Sequence, residues 1–264
     1  MPTSSLPTIK ALWVGSELSQ IEQLALASFV ACGHRVELFT YDAVKNVPSG
    51  VITRDGNDII PRDKVFRCVE KGSYGAFSDG FRYTLLHREG GIWVDTDVVC
   101  LKPLDIDAEL IFGKEEVGKF NCAVLGGSAG HPLFEFMLRQ ANAINDPLPY
   151  DNWQQRRRKF KRRMMGRDHP KYLRWGEIGP LGVTRAIYHM SLENFAQPYT
   201  AFYPIHPKCW DAIFDDTYPD PSQFFPNTYA IHLWNEMLRS KSTINKNGPF
   251  PENSLIAALL RRYL

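Results

Sequence analysis

The sequence lacks a long hydrophobic run and an amino-terminal signal pattern. No stretch of its 264 residues approaches the roughly 18 consecutive apolar residues that a membrane-spanning helix needs. The first ten residues contain no basic segment leading into an apolar one. We therefore expect a cytoplasmic protein, in contact with a membrane only as a peripheral protein on the inner face of the plasma membrane.

Cysteine is scarce and unevenly spaced. The five cysteines are odd in number, and the closest pair, Cys100 and Cys122, is separated by 22 positions. This spacing indicates neither a C-x-x-C metal site nor a disulfide framework. Internal repeats and low-complexity linkers are also missing, so we expect one domain in a reducing compartment.

The charge balance hides one unusual segment. The formal net charge is +2, but residues 156–163, R-R-R-K-F-K-R-R, hold seven positive charges and no negative one. Without them the chain has 24 basic against 29 acidic side chains. The overall charge therefore indicates no polyanionic partner, whereas this one segment requires an explanation.

The first forty residues predict a β-α-β unit. Residues 8–15 form a short apolar run that is typical of a buried strand. Ser19 and Glu22 have the spacing of a capping box, and Gly33 stands where a helix commonly ends in a left-handed residue. Residues 35–40 then alternate as a second strand. Such a unit implies a right-handed crossover and an α/β fold with a mostly parallel central sheet.

The later elements are predicted from periodicity and from turn residues. After a stretch rich in turn residues at 48–63, we expect helices and strands as follows: helices at 76–88, 131–144, 153–165, 178–190 and 252–262, and strands at 92–94, 98–101, 110–113, 121–125, 199–204 and 228–234.

Two carboxylates form the clearest chemical motif. Asp95 and Asp97 flank Thr96 at the end of an apolar strand, where open α/β sheets place their binding crevices. Carboxylate oxygens suit Mg²⁺ or Mn²⁺. On the preceding helix, Asp79 and Arg82 are three residues apart and share one face, where they could present an acceptor and a cation to one ligand.

The segment F-S-D-G-F-R-Y-T-L-L-H-R-E-G-G-I-W-V-D-T-D-V-V-C-L-K-P-L, residues 77–104, resembles the sugar-binding region of the D-x-D glycosyltransferases of family 32. The openings at 11–19 and 33–42, and A-I-H-L-W-N-E near the end, agree in the same order. The resemblance implies a single GT-A, Rossmann-like domain over 1–264. Residues 1–104 would bind the nucleotide sugar, and 105–264 would form the acceptor side, with a basic helical insertion at 151–167.

The resemblance also implies an activity. The protein would be a retaining hexosyltransferase that moves a sugar from a nucleotide diphosphosugar donor to a glycan or lipid-linked saccharide acceptor. Surface polysaccharide synthesis is the expected role. UDP-galactose or UDP-glucose is favoured as donor, with GDP-mannose as the alternative, and the cofactor would be Mn²⁺ or Mg²⁺. A front-face mechanism with retention needs no second catalytic carboxylate.

Site residues are carried over from the same resemblance. Asp95 and Asp97 would hold the metal, Asp79 the sugar hydroxyls, and Arg82 the sugar or diphosphate. Trp93 stands where the family has Tyr, which would keep an aromatic wall and lose a hydroxyl. Further donor-binding or metal-binding candidates lie elsewhere: Trp13, Thr96 and Trp234 for the donor, His232 and Asn235 (with Glu236 as a third choice) for the metal, and Gly179 and Pro180 for the cleft.

Two other functions fit parts of the sequence. An apolar strand that delivers Asp95 and Asp97 also resembles a haloacid-dehalogenase-type phosphatase, with Asp215 and Asp216 as the distal acidic pair. Against this, the motif lies far from the amino terminus and Cys100 departs from the expected pattern. A sugar-nucleotide-binding protein with a decayed site is the non-enzymatic alternative.

The basic segment predicts a surface helix. Over 153–165, Trp153, Phe160 and Met164 recur at intervals of seven and four, with Lys and Arg on both sides. Such a profile is typical of a helix that lies on an anionic membrane surface. In a glycosyltransferase the same segment could instead gather a lipid-linked or phosphorylated acceptor, and a solvated face of a mobile insertion is the remaining alternative. Nucleic acid is not expected, because no stacking platform or known module accompanies the charges.

Overall fold

The computed structural model describes residues 6–264. The strands of this part of the chain are β1 (Ile9–Trp13), β2 (Val36–Thr40), β3 (Val51–Asp55), β4 (Gly91–Val94), β5 (Val98–Cys100), β6 (Leu110–Glu116), β7 (Lys119–Gly127) and β8 (Ala230–His232). The helices are α1 (Gln20–Ala31), α2 (Gly75–Glu89), α3 (Pro132–Asn142), α4 (Trp153–Met164), α5 (Pro180–His189), α6 (Tyr199–Phe202), α7 (Pro221–Phe224), α8 (Asn235–Lys241) and α9 (Leu255–Tyr263).

A six-stranded sheet organises the molecule, in the order β3-β2-β1-β4-β7-β6. The pairs β3/β2, β2/β1 and β1/β4 are parallel, and β4/β7 and β7/β6 are antiparallel. The predicted α/β fold with a mostly parallel central sheet is therefore confirmed. Because β2 lies on one side of β1 and β4 on the other, the strand order reverses between β1 and β4, where α/β proteins open a crevice at the carboxyl ends of the strands.

The predicted β-α-β opening is confirmed in detail. Helix α1 begins after Ser19, whose backbone N–H donates to the Glu22 carboxylate over 2.9 Å in the expected capping box. The helix ends before Gly33, which has a φ of +86°. Strands β1 and β2 then pair in parallel with Ile9 opposite Val36.

Helices cover both faces of the sheet. One apolar core forms where α1 and α9 pack against the sheet, and it includes Leu24, Phe29 and Ile256, all buried. The other core includes Phe81 of α2, Phe134 of α3 and residues of α5. Apolar burial on both faces explains why the central strands are short, continuous apolar runs.

Two predicted elements are wrong. Residues 51–55, expected to lie in an irregular stretch, form the edge strand β3; its side chains are mostly exposed, so no apolar run signals it. Residues 199–204, expected to be a strand, contain the short helix α6 instead. Pro198 directly precedes this helix, and Ala201, Phe202 and Tyr203 pack into the core. An apolar segment of this length has no periodicity that separates a strand from one helical turn.

A small second sheet returns the late part of the chain to the D-x-D segment. Strand β5, which follows Asp97, pairs antiparallel with β8, with Val98 opposite His232. The residues that follow β8 are thereby placed beside Asp97 although they lie more than 130 positions later in the sequence.

The helix predicted over 153–165 is confirmed as α4, but its seven positive charges do not form one free surface. Lys159 is buried and donates to the Asp151 carboxylate over 2.7 Å. Arg162 is also buried and donates to the Glu177 carboxylate over 2.9 Å. These two side chains therefore attach the segment to the body of the protein. No helix within residues 6–264 is both long enough and apolar enough to cross a bilayer.

Candidate functional site

A cleft of about 580 Å³ opens at the carboxyl ends of β1 and β4. The residues that the family resemblance proposed for catalysis, donor binding or metal binding all line this cleft: Trp13, Asp79, Arg82, Trp93, Asp95, Thr96, Asp97, His232, Trp234, Asn235 and Glu236. The sheet explains the convergence, since Trp13 ends β1, the D-x-D motif follows the neighbouring parallel strand β4, and β8 pairs with β5.

Asp95 is oriented by two donors. The Arg82 Nη2 atom lies 2.6 Å from Asp95 Oδ1, and the Trp93 Nε1 atom donates to the same oxygen over 2.7 Å. Trp93 is buried and lies under the Arg82 guanidinium, whose carbon is 4.9 Å from the ring centroid. The Trp93 indole N–H thus supplies a hydrogen-bond donor that the sequence analysis did not anticipate.

Asp97 is bracketed by the segment that follows β8. The Leu233 N–H donates to the Asp97 carbonyl over 2.8 Å, and the Asn235 N–H donates to Asp97 Oδ2 over 2.7 Å. The His232 Nε2 atom lies 3.2 Å from the same carboxylate oxygen. These contacts fix one oxygen of Asp97 and explain why the carboxylate tolerates burial.

Trp234 belongs to the segment that follows β8 and packs beside His232. It has a φ of +56°, the left-handed conformation that residues with a side chain rarely adopt. Its Nε1 donates to the Ile205 carbonyl over 2.9 Å, and the centroids of the Trp234 and His232 rings are 4.2 Å apart. Trp234 is only 6% exposed, so most of its surface packs against protein. The unusual backbone conformation is a feature of functional sites that surrounding contacts hold in place.

Asp95, Asp97 and His232 can meet at one cation. One ligand atom from each of the three lies within 4.8 Å of the others. The Asn235 Oδ1 atom, in the adjoining cleft wall, is buried and has no hydrogen-bond partner. An unpartnered buried oxygen is costly unless a ligand satisfies it. The donor set of two carboxylates and one imidazole therefore fits a divalent metal.

The charges of the cluster are coupled. Burial, with the nearby Asp97, raises the pKa of Asp95 despite the opposing Arg82 guanidinium. Burial also works against ionisation of Asp97, but the His232 ring and the Asn235 N–H outweigh it and lower the pKa of Asp97. Burial disfavours the charged form of His232, yet Asp97 and Asp95 raise its pKa overall. The two carboxylates thus favour a positive charge beside them, as the raised pKa of His232 indicates.

Asp79 and Arg82 form a second pair beside the cluster. Arg82 Nη1 lies 3.4 Å from Asp79 Oδ1, while Arg82 Nε and Nη1 have no hydrogen-bond partner. Gly179 faces Asp79 so closely that a Cβ on this glycine would be 2.8 Å from Asp79 Oδ2. Burial raises the pKa of Asp79 to about 6, although Arg82 opposes the shift. The Nη2 atom of Arg82 is committed to Asp95 and Nη1 lies beside Asp79, so only Nε and Nη1 retain hydrogen-bonding capacity.

Trp13 and Thr96 are partly exposed in the cleft. The Trp13 Nε1 atom is buried without a partner, and the ring packs over Gly15, where a Cβ would be 3.0 Å from that nitrogen. Asp215 and Asp216 lie on the surface and are not among the residues that line the cleft. The distal acidic pair of the phosphatase hypothesis is therefore not part of this site.

Sequence reasoning missed the residues that support Asn235. Glu22 is fully buried and accepts from Asn235 Nδ2 over 3.2 Å and from Lys246 Nζ over 2.5 Å. Glu22 was identified only through its capping box, and no motif marks Lys246. Arg174 and Trp175, which also line the cleft, belong to a loop without a recognisable pattern.

The chain matches two family models. Residues 53–117 match a glycosyltransferase sugar-binding region containing a DXD motif, and residues 154–263 match an alpha 1,4-glycosyltransferase conserved region. The D-x-D motif lies inside the first match, and His232 and Asn235 lie inside the second. Both parts of the site are therefore covered.

Three relatives each align with 70% of this chain. Over 192 residues it is 30% identical to the lactosylceramide 4-alpha-galactosyltransferases of Rattus norvegicus and Pongo pygmaeus, covering 46% and 77% of those proteins. Over 201 residues it is 26% identical to the alpha-1,4-N-acetylglucosaminyltransferase of Homo sapiens, covering 49% of it. The chain thus spans about half the length of most of these relatives.

Among solved structures, the chain is similar to the PaToxG glycosyltransferase, with a TM-score of 0.48, 13% identity, and coverage of 71% of this chain and 70% of that one. The sequence relationships carry the assignment. The chain belongs to the family of glycosyltransferases with a D-x-D sugar-binding region, the family-32 group that includes the α-1,4-glycosyltransferases.

Proposed function

We propose that the protein is a retaining, metal-dependent glycosyltransferase that moves a hexose from a nucleotide diphosphosugar to a glycan or lipid-linked saccharide. The observation that carries the proposal is the convergence of Asp95, Asp97 and His232 within 4.8 Å at the carboxyl end of β4. The proposed role is in the synthesis of surface polysaccharide, by a single domain whose two halves, 1–104 and 105–264, meet at the cleft.

Asp95, Asp97 and His232 would hold the cation, with Asn235 Oδ1 as a fourth ligand. We propose Mn²⁺, with Mg²⁺ as the alternative, because Mg²⁺ prefers oxygen ligands alone while an imidazole suits a transition metal. When bound, the cation supplies charge neutralisation for the donor diphosphate. Trp93 and Arg82 hold Asp95 in place, so the carboxylate is oriented before any ligand arrives.

Arg82 is proposed to stabilise the leaving group. Cleavage of the bond between the sugar and the diphosphate builds negative charge on the phosphate oxygens. Arg82 lines the cleft, and its buried Nε and Nη1 atoms have no hydrogen-bond partner, although Nη1 lies 3.4 Å from Asp79 Oδ1. Donors fixed in advance stabilise such charge best. Asp79, positioned beside Arg82 and Gly179, would accept hydrogen bonds from donor-sugar hydroxyls. Trp13 would stack on the nucleotide base, with Thr96 and Trp234 completing the donor site.

The proposal of retention is supported by the alpha linkage in the description of the matched region. The common nucleotide hexoses are α-linked, so an α-linked product keeps the configuration of the anomeric carbon. A front-face reaction needs no carboxylate opposite the leaving group. The proposal therefore requires no nucleophile beyond the acceptor hydroxyl itself.

UDP-galactose is the favoured donor, with UDP-glucose next and GDP-mannose as the remaining candidate. The first relatives described above are named galactosyltransferases, and another is named an N-acetylglucosaminyltransferase. The acceptor would enter past Trp175 and Leu181, two half-exposed apolar side chains in the cleft wall. Such side chains suit the apolar face of a sugar ring. A lipid-linked acceptor would make the enzyme a peripheral protein at the cytoplasmic face of a membrane.

A thermal-shift panel tests the proposal. UDP-galactose, UDP-glucose, UDP-N-acetylglucosamine and GDP-mannose are each added with and without Mn²⁺, since a ligand raises the unfolding temperature in proportion to its binding. We expect one donor to stabilise the protein only with Mn²⁺, and slow hydrolysis of that donor in the absence of acceptor. Binding without hydrolysis would instead favour the decayed binding protein. No response to any donor would overturn the proposal.

A further inference from the structure

Helix α4 presents its large apolar side chains to solvent. Trp153, Phe160 and Met164 are 70%, 65% and 71% exposed, and Met165, just after the helix, is 49% exposed. Intervals of seven and four residues place the first three on one stripe along the helix. Single exposed apolar residues are ordinary, but a contiguous stripe of this size marks a contact surface.

Two cations of the same helix, Lys159 and Arg162, point inward. Lys159 donates to the Asp151 carboxylate over 2.7 Å and to the Asp146 carbonyl over 2.9 Å. Arg162 donates to Glu177 over 2.9 Å and to the Ile144 carbonyl over 2.7 Å. These buried contacts fix the rotation of α4 about its axis. The arrangement is the reverse of an ordinary surface helix, which buries its apolar stripe.

Exposed cations flank the apolar stripe on both sides, although Arg156 Nε also donates to the Asp151 carbonyl over 3.1 Å. Arg157 and Lys161 follow one edge of the stripe, and Arg156 lies beyond the other edge. All three are exposed, and within residues 6–264 none of them makes an ion pair with a carboxylate. Residues 153–165 contain no acidic residue. The outward face is therefore apolar in the middle and positively charged at its edges.

We infer that this outward face of α4 is a docking surface for an anionic lipid bilayer. Aromatic and aliphatic side chains in the centre would enter the boundary between headgroups and acyl chains, and the flanking cations would lie against lipid phosphates. Charge complementarity selects this occupant. A second copy of the chain, packed face to face, would bring the cations of both copies together.

One ion pair links helix α4 to the segment that forms part of the cleft wall. Arg162 binds Glu177, and Arg174, Trp175 and Gly176, immediately before Glu177, line the cleft. A bilayer against α4 would therefore lie near the cleft wall formed by Trp175. A saccharide on a lipid carrier would reach the site from the membrane plane. This last step rests on the proposed function, whereas the docking itself does not.

Vesicle sedimentation tests the docking. The full chain is mixed with vesicles of phosphatidylcholine alone or of phosphatidylcholine with phosphatidylglycerol, at low and high salt. We expect binding only to the anionic vesicles, with a steep loss as salt increases. The triple variant Arg156→Gln, Arg157→Gln, Lys161→Gln should bind about 100-fold more weakly. The triple variant Trp153→Ala, Phe160→Ala, Met164→Ala should lose binding as well.

Matched controls change exposed residues on other elements. Lys64→Gln, Arg261→Gln, Arg262→Gln removes three exposed cations, and Val117→Ala, Phe224→Ala removes exposed apolar side chains. Both controls should bind vesicles as the unchanged protein does. Equal binding to neutral and anionic vesicles, or full binding by either α4 variant, would overturn the inference. So would a dimer in solution that the apolar α4 variant converts to a monomer. Donor binding in the thermal-shift panel is a separate readout, so the two proposals fail independently.

Discussion

The side-chain amide of Asn235 donates to the carboxylate of Glu22 over 3.2 Å, although 213 positions separate the two residues in the sequence. A carboxylate only accepts hydrogen bonds, so the amide nitrogen of Asn235 must face Glu22. The amide oxygen is left buried without a partner in a residue that lines the cleft. Glu22 thus determines which end of the amide is available to a cation.

Glu22→Gln should weaken Mn²⁺ binding by about 10-fold or more, since groups that orient metal ligands typically have effects of this size. Gln keeps the capping box of α1 but removes the charge that holds Asn235 and Lys246. Isothermal titration of Mn²⁺ measures the effect without reference to activity. Glu17→Gln, at an exposed acid on the preceding loop, serves as control. Unchanged Mn²⁺ affinity in Glu22→Gln would exclude Asn235 Oδ1 as a ligand positioned in this way.

Gly179→Ala should displace Asp79. The added Cβ would be 2.8 Å from Asp79 Oδ2, closer than such atoms approach, and the carboxylate is confined by Arg82. A misplacement of a positioning group by about 1 Å can lower kcat/KM by about 100-fold. Gly80→Ala is the control, because its Cβ would be 3.8 Å from the nearest contact, Ala141. Steady-state kinetics of the two variants should differ accordingly; equal rates would remove Asp79 from the donor site.

The local part of the site was predictable from sequence. Asp79, Arg82, Asp95 and Asp97 lie within 19 consecutive residues, and a helix, a turn and a strand suffice to bring them together. His232 and Asn235 could be named only through the family resemblance. Their placement depends on the pairing of β8 with β5, a long-range contact that periodicity does not encode.

The charged residues of α4 show what could not be predicted from the sequence. The heptad-like spacing of Trp153, Phe160 and Met164 predicted the helix and the shared stripe. It could not show that Lys159 and Arg162 point inward, because their partners Asp151 and Glu177 lie outside the helix. Burial of a charge depends on where its counter-charge is placed in space, so this part required the structure.

The pH dependence of kcat/KM should show the titration of Asp79. Its pKa is about 6, because burial raises it more than Arg82 lowers it. If the carboxylate accepts hydrogen bonds from donor hydroxyls, kcat/KM increases as pH rises through about 6, since this parameter reports the free enzyme. Asp79→Asn should have low activity without this acid limb. An unchanged limb in the variant would assign the titration to another group.

The raised pKa of Asp79 also makes the stability of the protein depend on pH. The folded-state pKa of about 6 exceeds the ordinary value of 3.8, so between these values the folded protein binds more protons than the unfolded one. The contribution of Asp79 to the free energy of unfolding is therefore greatest at low pH. It decreases by at most about 3 kcal/mol as pH rises from 3.8 to about 6. The free energy of unfolding of Asp79→Asn, measured by urea titration, should decrease less over that window. A parallel dependence in both proteins would contradict the shift.

Asp97→Asn should abolish Mn²⁺ binding and donor turnover while the fold persists. Asn has the same shape and can still accept the Asn235 N–H, so we expect an unfolding temperature close to that of the unchanged protein. Loss of the negative charge also removes the main support for a protonated His232, so the pKa of His232, followed by NMR, should decrease. Asp215→Asn, an exposed acid outside the cleft, should change none of these quantities. Mn²⁺-dependent turnover by Asp97→Asn would refute the metal assignment, whereas loss of turnover with Mn²⁺ affinity intact would place Asp97 in the reaction but not at the cation.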